Sequence, residues 1–156
     1  MSVLMDTPDL AQMEERLSYQ FKDIKHLQIA LTHKTYAFEA DRPMEFNERM
    51  EYLGDSVLSF VTAELLYKKS PYFNEGELTR RRAMLVNNDR LADLAFSLGI
   101  GEFLLLGRGE LKQKGASNKS NLAGALEAVI AAIYLDSGIQ ATRRFIKKKI
   151  IDISAL

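Results

Sequence analysis

The chain has 156 residues, 47% of them hydrophobic and 27% charged, the composition of one globular domain able to bury its own core. Lys and Arg number 21, Asp and Glu also 21, and there is no cysteine. Disulfide scaffolds, thiolate zinc sites and cysteine nucleophiles are excluded, a reducing, cytoplasmic setting is expected, and whole-chain charge carries no nucleic-acid signal.

Met1 to Leu10 holds Asp6 and Asp9 without a basic n-region, unlike a signal peptide. No stretch reads as the ~18 apolar residues of a membrane span, so no membrane partner is expected. Leu10, Met13 and Leu17 give the i, i+3, i+7 stripe of a first helix. Ile24, Leu27 and Leu31 give a second, with Asp23 as its N-cap. A polar loop through Pro43 follows. Asn47 is placed to cap a long helix that runs to about Lys69 and stops before Pro71. A third pattern covers about Glu75 to Val86. Asn88 is read as the cap of a fourth, in which Leu91, Leu94 and Leu98 face inward before Gly99.

Gly99, Gly101, Gly107 and Gly109 bracket a short apolar turn, Phe103 to Leu106, and Lys112 to Lys119 reads as an exposed loop. Leu122, Leu126, Val129, Ile130 and Ile133 make the next helix the most apolar, which marks it as the central core element; Gly138 closes it as a C′ residue. A last helix carries Ile139, Ile146, Ile150 and Ile153 inward and the basic run Arg143 to Lys149 outward. The pattern is all-α, with no strand, repeat or linker.

Two features call for chemistry. Glu48, Glu51 and Asp55 fall at i, i+3 and i+7 on the long helix, one face of like charges that needs a cation, a basic partner or free exposure to water. Glu127 lies in the apolar central helix, where an unpaired carboxylate costs several kcal/mol. Glu51, Asp55 and Glu127 together form a set of hard oxygen donors suited to Mg²⁺ or Mn²⁺. A di-iron bundle would want Glu-x-x-His, which neither Glu48 nor Glu51 provides. His26 and His33 read as packing or surface residues. Basic residues gather in Arg80 to Arg82, in Lys112, Lys114 and Lys119, and in Arg143 to Lys149, each a solvated face by itself and together able to grip phosphates.

NERMEYLGDSVL, residues 47–58, resembles the ribonuclease III signature NERLEFLGDSVL, differing at Met50 and Tyr52. ALTHKTY (30–36), NEGELTRRRAMLVN (74–87), LGRGE (106–110) and LEAVIAAIYLDSG (126–138) follow in the expected order. The resemblance covers nearly the whole chain. It implies the all-helical ribonuclease III endonuclease fold, working as a homodimer on double-stranded RNA with Mg²⁺ in a cleft between subunits. It further implies metal-activated water leaving a 5′-phosphate and a 3′-hydroxyl, in RNA processing such as rRNA maturation.

Carried over residue by residue, the resemblance makes Glu51, Asp55 and Glu127 metal ligands, with Asp55 and Glu127 the catalytic pair. Glu48 and Glu75 become further acids of the dimer cleft, and Tyr52 an aromatic anchor for a socket on the partner. RNA duplex would be held through its backbone and 2′-hydroxyls by Lys112, Lys114 and Lys119. The family's Asp three residues before the Glu is replaced here by Gly124, so one expected ligand is missing. The chain is read as one domain over 1–156, without the C-terminal double-stranded-RNA-binding domain of longer members. The alternative reading is a weakened or inactive dimer that binds structured RNA.

Overall fold

A computed structural model describes residues 8–152. Eight α-helices follow in order among the described residues: α1 (Leu10–Leu17), α2 (Lys25–Ala30), α3 (Lys34–Glu39), α4 (Glu48–Lys69), α5 (Glu75–Leu85), α6 (Asn88–Ser97), α7 (Arg108–Lys112) and α8 (Lys119–Lys149). Single 3-10 turns at Ile100–Glu102 and Gly115–Ser117 flank α7. The described residues hold no strand beyond one isolated parallel bridge between Thr32 and Leu105, so the all-α expectation is borne out.

α8 is the axis of the fold, and α4, α6 and α2 pack around it. Its first half is apolar around most of its girth, Glu127 apart: Leu126, Val129, Ile130 and Ile133 are fully buried, and Ala125, Ala128, Ala131 and Ala132 between them let the neighbouring helices come close. By length and composition α8 could cross a membrane, contrary to the sequence expectation. In this structure most of that apolar stretch is buried as core.

Gly138 breaks α8 at φ 80, ψ −175, a positive-φ conformation open to glycine but with ψ far from the left-handed C′ cap expected of it. Asp136, just before the break, accepts hydrogen bonds from the Tyr19 hydroxyl at 2.6 Å and from the Lys22 and Asp23 backbone N–H groups at 3.0 and 2.9 Å. Burial works to raise this carboxyl, but those donors overcome it and hold it at about 2. The basic run beyond Gly138 is partly structural. Arg143 donates to Glu64 at 2.7 Å and Lys149 to the Arg16 carbonyl at 3.1 Å, while Arg144, Lys147 and Lys148 stay exposed.

Several helix ends differ from the reading of the sequence. Asn47 caps nothing with its side chain; it is buried, donates Nδ2–H to the Ala30 carbonyl at 3.2 Å and its backbone N–H to the Thr32 carbonyl at 2.9 Å. It ties the start of α4 to the end of α2. The cap of α6 is Asn87, one residue earlier than expected, whose Oδ1 accepts the Arg90 N–H at 2.9 Å. Asp23 accepts the Lys25 N–H at 3.0 Å, one residue ahead of the assigned α2 cap. Ser70 is extended, as the residue before Pro71 must be.

The supposed loop through Pro43 contains α3, and the Gly-bracketed stretch leads into α7. Both are short, and their hold is tertiary. Glu39 accepts the Arg108 N–H at 3.0 and 3.1 Å, and the Thr35 hydroxyl accepts the Gly107 N–H at 3.0 Å. Ile153 lies outside the described residues.

Candidate active site

Gly54 decides where the two longest helices cross. A Cβ there would overlap the carbonyl group of Glu127, so only glycine lets α4 rest directly on the α8 backbone. The cost of a glycine in a helix interior, roughly 1 kcal/mol relative to Ala, is offset by that close approach. Glu51 and Asp55, three residues before Gly54 and one after, are thereby carried to Glu127.

Glu48, Glu51, Tyr52, Asp55 and Glu127 line one open pocket of about 440 Å³. Glu51 and Glu127 are half-buried, Asp55 is exposed, and Glu48 is held by the Lys34 ammonium at 2.8 Å. Burial first, then the charges of Asp55 and Glu51, push the Glu127 carboxyl up to about 7. Burial and then Glu48 raise Glu51, with Lys34 opposing. These are the signs of negative charge crowded into a poorly solvated place. Among the described residues, however, no three acids or histidines converge into a ready-made metal group.

Gly124 sits beside this cluster. A Cβ on it would lie 2.7 Å from Oε2 and 2.8 Å from Cδ of Glu51, so the carboxylate lies directly against the bare helix backbone.

Other expected site residues lie apart. Glu75, in the first turn of α5, accepts from the Thr79 hydroxyl at 3.2 Å and lines a separate depression with Phe60, Tyr67 and Arg82. Lys112 and Lys114 are exposed, but Lys119 is paired with Asp89 at 2.9 Å. His33 accepts the Thr35 N–H through Nδ1 at 3.3 Å, capping α3, a hydrogen-bonding role rather than the packing or surface role expected of it.

Tyr52 is 78% exposed and stands on the rim of a larger pocket of about 790 Å³ with Ile29, Met44, Phe46, Leu53 and Leu135. That pocket had no signal in the sequence, because its walls come from three distant segments. Lys34 was missed as well; in the sequence it is one lysine in a polar stretch.

Residues 23–153 match the family described as ribonuclease-III-like. The chain belongs to the ribonuclease III family. It is 48% identical over 135 residues to ribonuclease 3 of Coxiella burnetii (strain CbuK_Q154), covering 86% of this chain and 55% of that protein. The chain thus spans a little over half the length of the curated relative. Among solved structures, the nuclease domain of ribonuclease III from Campylobacter jejuni superposes with a TM-score of 0.83 at 38% identity, covering 91% of this chain and 93% of that one. A second structure of that domain, described for flexibility in a region involved in dimer formation, gives a TM-score of 0.82 at 39% identity over 90% and 98% of the two chains.

Proposed function

We propose that the chain is the endonuclease domain of a double-strand-specific ribonuclease that acts as a homodimer with Mg²⁺, Mn²⁺ serving as a substitute, in cytoplasmic RNA processing such as rRNA maturation. One observation carries the reading: the α4–α8 crossing gathers Glu51, Asp55 and Glu127 from two helices at one open pocket. Their hard oxygens and mutual repulsion fit a divalent cation, and these three residues would hold it. When bound, such an ion supplies an activated water and neutralises charge on the phosphodiester, leaving a 5′-phosphate and a 3′-hydroxyl.

The protein's own groups do the rest. Glu127, whose carboxyl stands at about 7 without a cation, would give up its proton on holding one, and Asp55 faces solvent where a phosphate would approach. Lys34 fixes the direction of Glu48. Exposed Lys112 and Lys114 are free to meet RNA phosphates, whereas Lys119 must first leave Asp89.

The dimer reading rests on Tyr52 and the pocket beside it. An exposed tyrosine next to an apolar hollow is self-complementary: under a two-fold axis each Tyr52 enters the partner's hollow. Glu75, remote from the acid pocket within one chain, would join a cleft only across such an axis.

A second reading, an RNA-binding dimer that cuts poorly or not at all, is favoured by Gly124 and by the lack of a converged metal group among the described residues. Incubation of duplex RNA with the protein in Mg²⁺ and in Mn²⁺, beside Glu127→Gln, separates them. Cleavage by the wild type and retained RNA binding without cleavage by the variant support the first. Salt-sensitive binding without cleavage in either ion supports the second. Absence of duplex binding refutes both.

A further inference from the structure

We propose that Gly124 is a positioning residue for Glu51: the bare backbone of α8 forms a seat into which the Glu51 carboxylate folds, taking the space that any side chain at position 124 would fill. The three atoms nearest a Cβ at 124 are Oε2, Cδ and Oε1 of Glu51, at 2.7, 2.8 and 3.1 Å. The carboxylate therefore lies flat against the helix. All three belong to the far end of one flexible side chain, unlike the three neighbours of Gly54, which are all backbone atoms of Glu127.

Glycine in the interior of a helix is unfavourable, and close packing of helix backbones does not account for this one. The seat lies one turn before Glu127 on the same face of α8. It draws Glu51 in from α4 toward Glu127 and away from solvent. A side chain at 124 pushes Glu51 outward without forcing the helices apart.

The test is a double-mutant cycle on the full chain with Gly124→Ala, Glu51→Ala and both. In EDTA, the change in Tm on Gly124→Ala is expected to differ by at least about 2 °C between the wild-type and Glu51→Ala backgrounds. Equal changes overturn the seat. The second arm, which rests on the cation reading above, titrates Mn²⁺ without RNA. Gly124→Ala is expected to weaken binding about tenfold when Glu51 is present and not at all in the Glu51→Ala background. A coupled Tm with unchanged Mn²⁺ affinity would show a seat that positions nothing and would overturn the proposal. Failure of the wild type to bind Mn²⁺ counts against the cation reading alone, and the Tm cycle still decides the seat.

Discussion

Gly54 and Gly124 occupy the two sides of one helix crossing, and in sequence both are a glycine in a helical stretch within three residues of an acid. Their neighbours differ in kind. Gly54 touches the backbone of Glu127, which cannot yield without moving α8, whereas Gly124 touches a carboxylate that can rotate away. One glycine sets where the helices stand, the other where a side chain lies. A glycine's contribution is thus read from the stiffness of what faces it.

The largest effect should come from Gly54→Ala. Pushing α4 off α8 is expected to cost about 3 kcal/mol in urea unfolding and to disperse the acids; a variant as stable as the wild type would erase the distinction between the glycines. Next comes Glu127. Its folded carboxyl stands at about 7, against 4.5 for an ordinary Glu, so unfolding releases a proton between those values. Metal-free stability is then full below about pH 4.5 and falls as pH rises to 7. With screening by water reaching the pocket, the loss is on the order of 1–2 kcal/mol. Glu127→Gln should flatten this slope in EDTA; an unchanged slope would assign the pH dependence to other groups.

Gly124→Asp sharpens the contrast from the permissive side. It is expected to fold and to displace Glu51, as any side chain at 124 would, but it brings a carboxylate of its own, and the added ligand is expected to outweigh the lost seat and raise Mg²⁺ affinity and duplex-RNA cleavage together by about tenfold, near 1.4 kcal/mol. If titration and cleavage rates stay level or fall, the loss of an acid at 124 is not what limits the site. Tyr52→Ala should do least to the fold, within about 0.5 kcal/mol for so exposed a residue. Sedimentation should nonetheless show a weaker dimer, and an unaltered monomer–dimer balance would remove Tyr52 from the interface.

Much of this was legible in the residues. The apolar period of α8, the stop at Pro71 and the turn at Gly138 are local signals, and the structure follows them. Asn47 misled because its cap position and its buried contact with Ala30 look alike in sequence. α3 and α7 were missed because they turn almost no apolar side chain inward, Ala37 alone in α3 and none in α7, and contacts made across the chain hold them. At the site, Glu51, Asp55 and Glu127 could be named from type and spacing, and the pocket unites them. The seat of Glu51 on Gly124, the Lys34–Glu48 pair and the hollow beside Tyr52 are products of the crossing, invisible until α4 and α8 meet.

The helix on which α2, α4 and α6 pack begins only at Lys119. A ribosome making this chain therefore exposes three apolar helix faces well before it makes the surface that covers them. Folding during synthesis must wait for the last quarter of the sequence, and the waiting segments are candidates for chaperone capture. Stalled nascent chains ending near Asn118 should be cut readily by protease, and those long enough to free Ile150 from the exit tunnel should resist; early resistance in the shorter chains would mean that α4 finds a stable partner without α8.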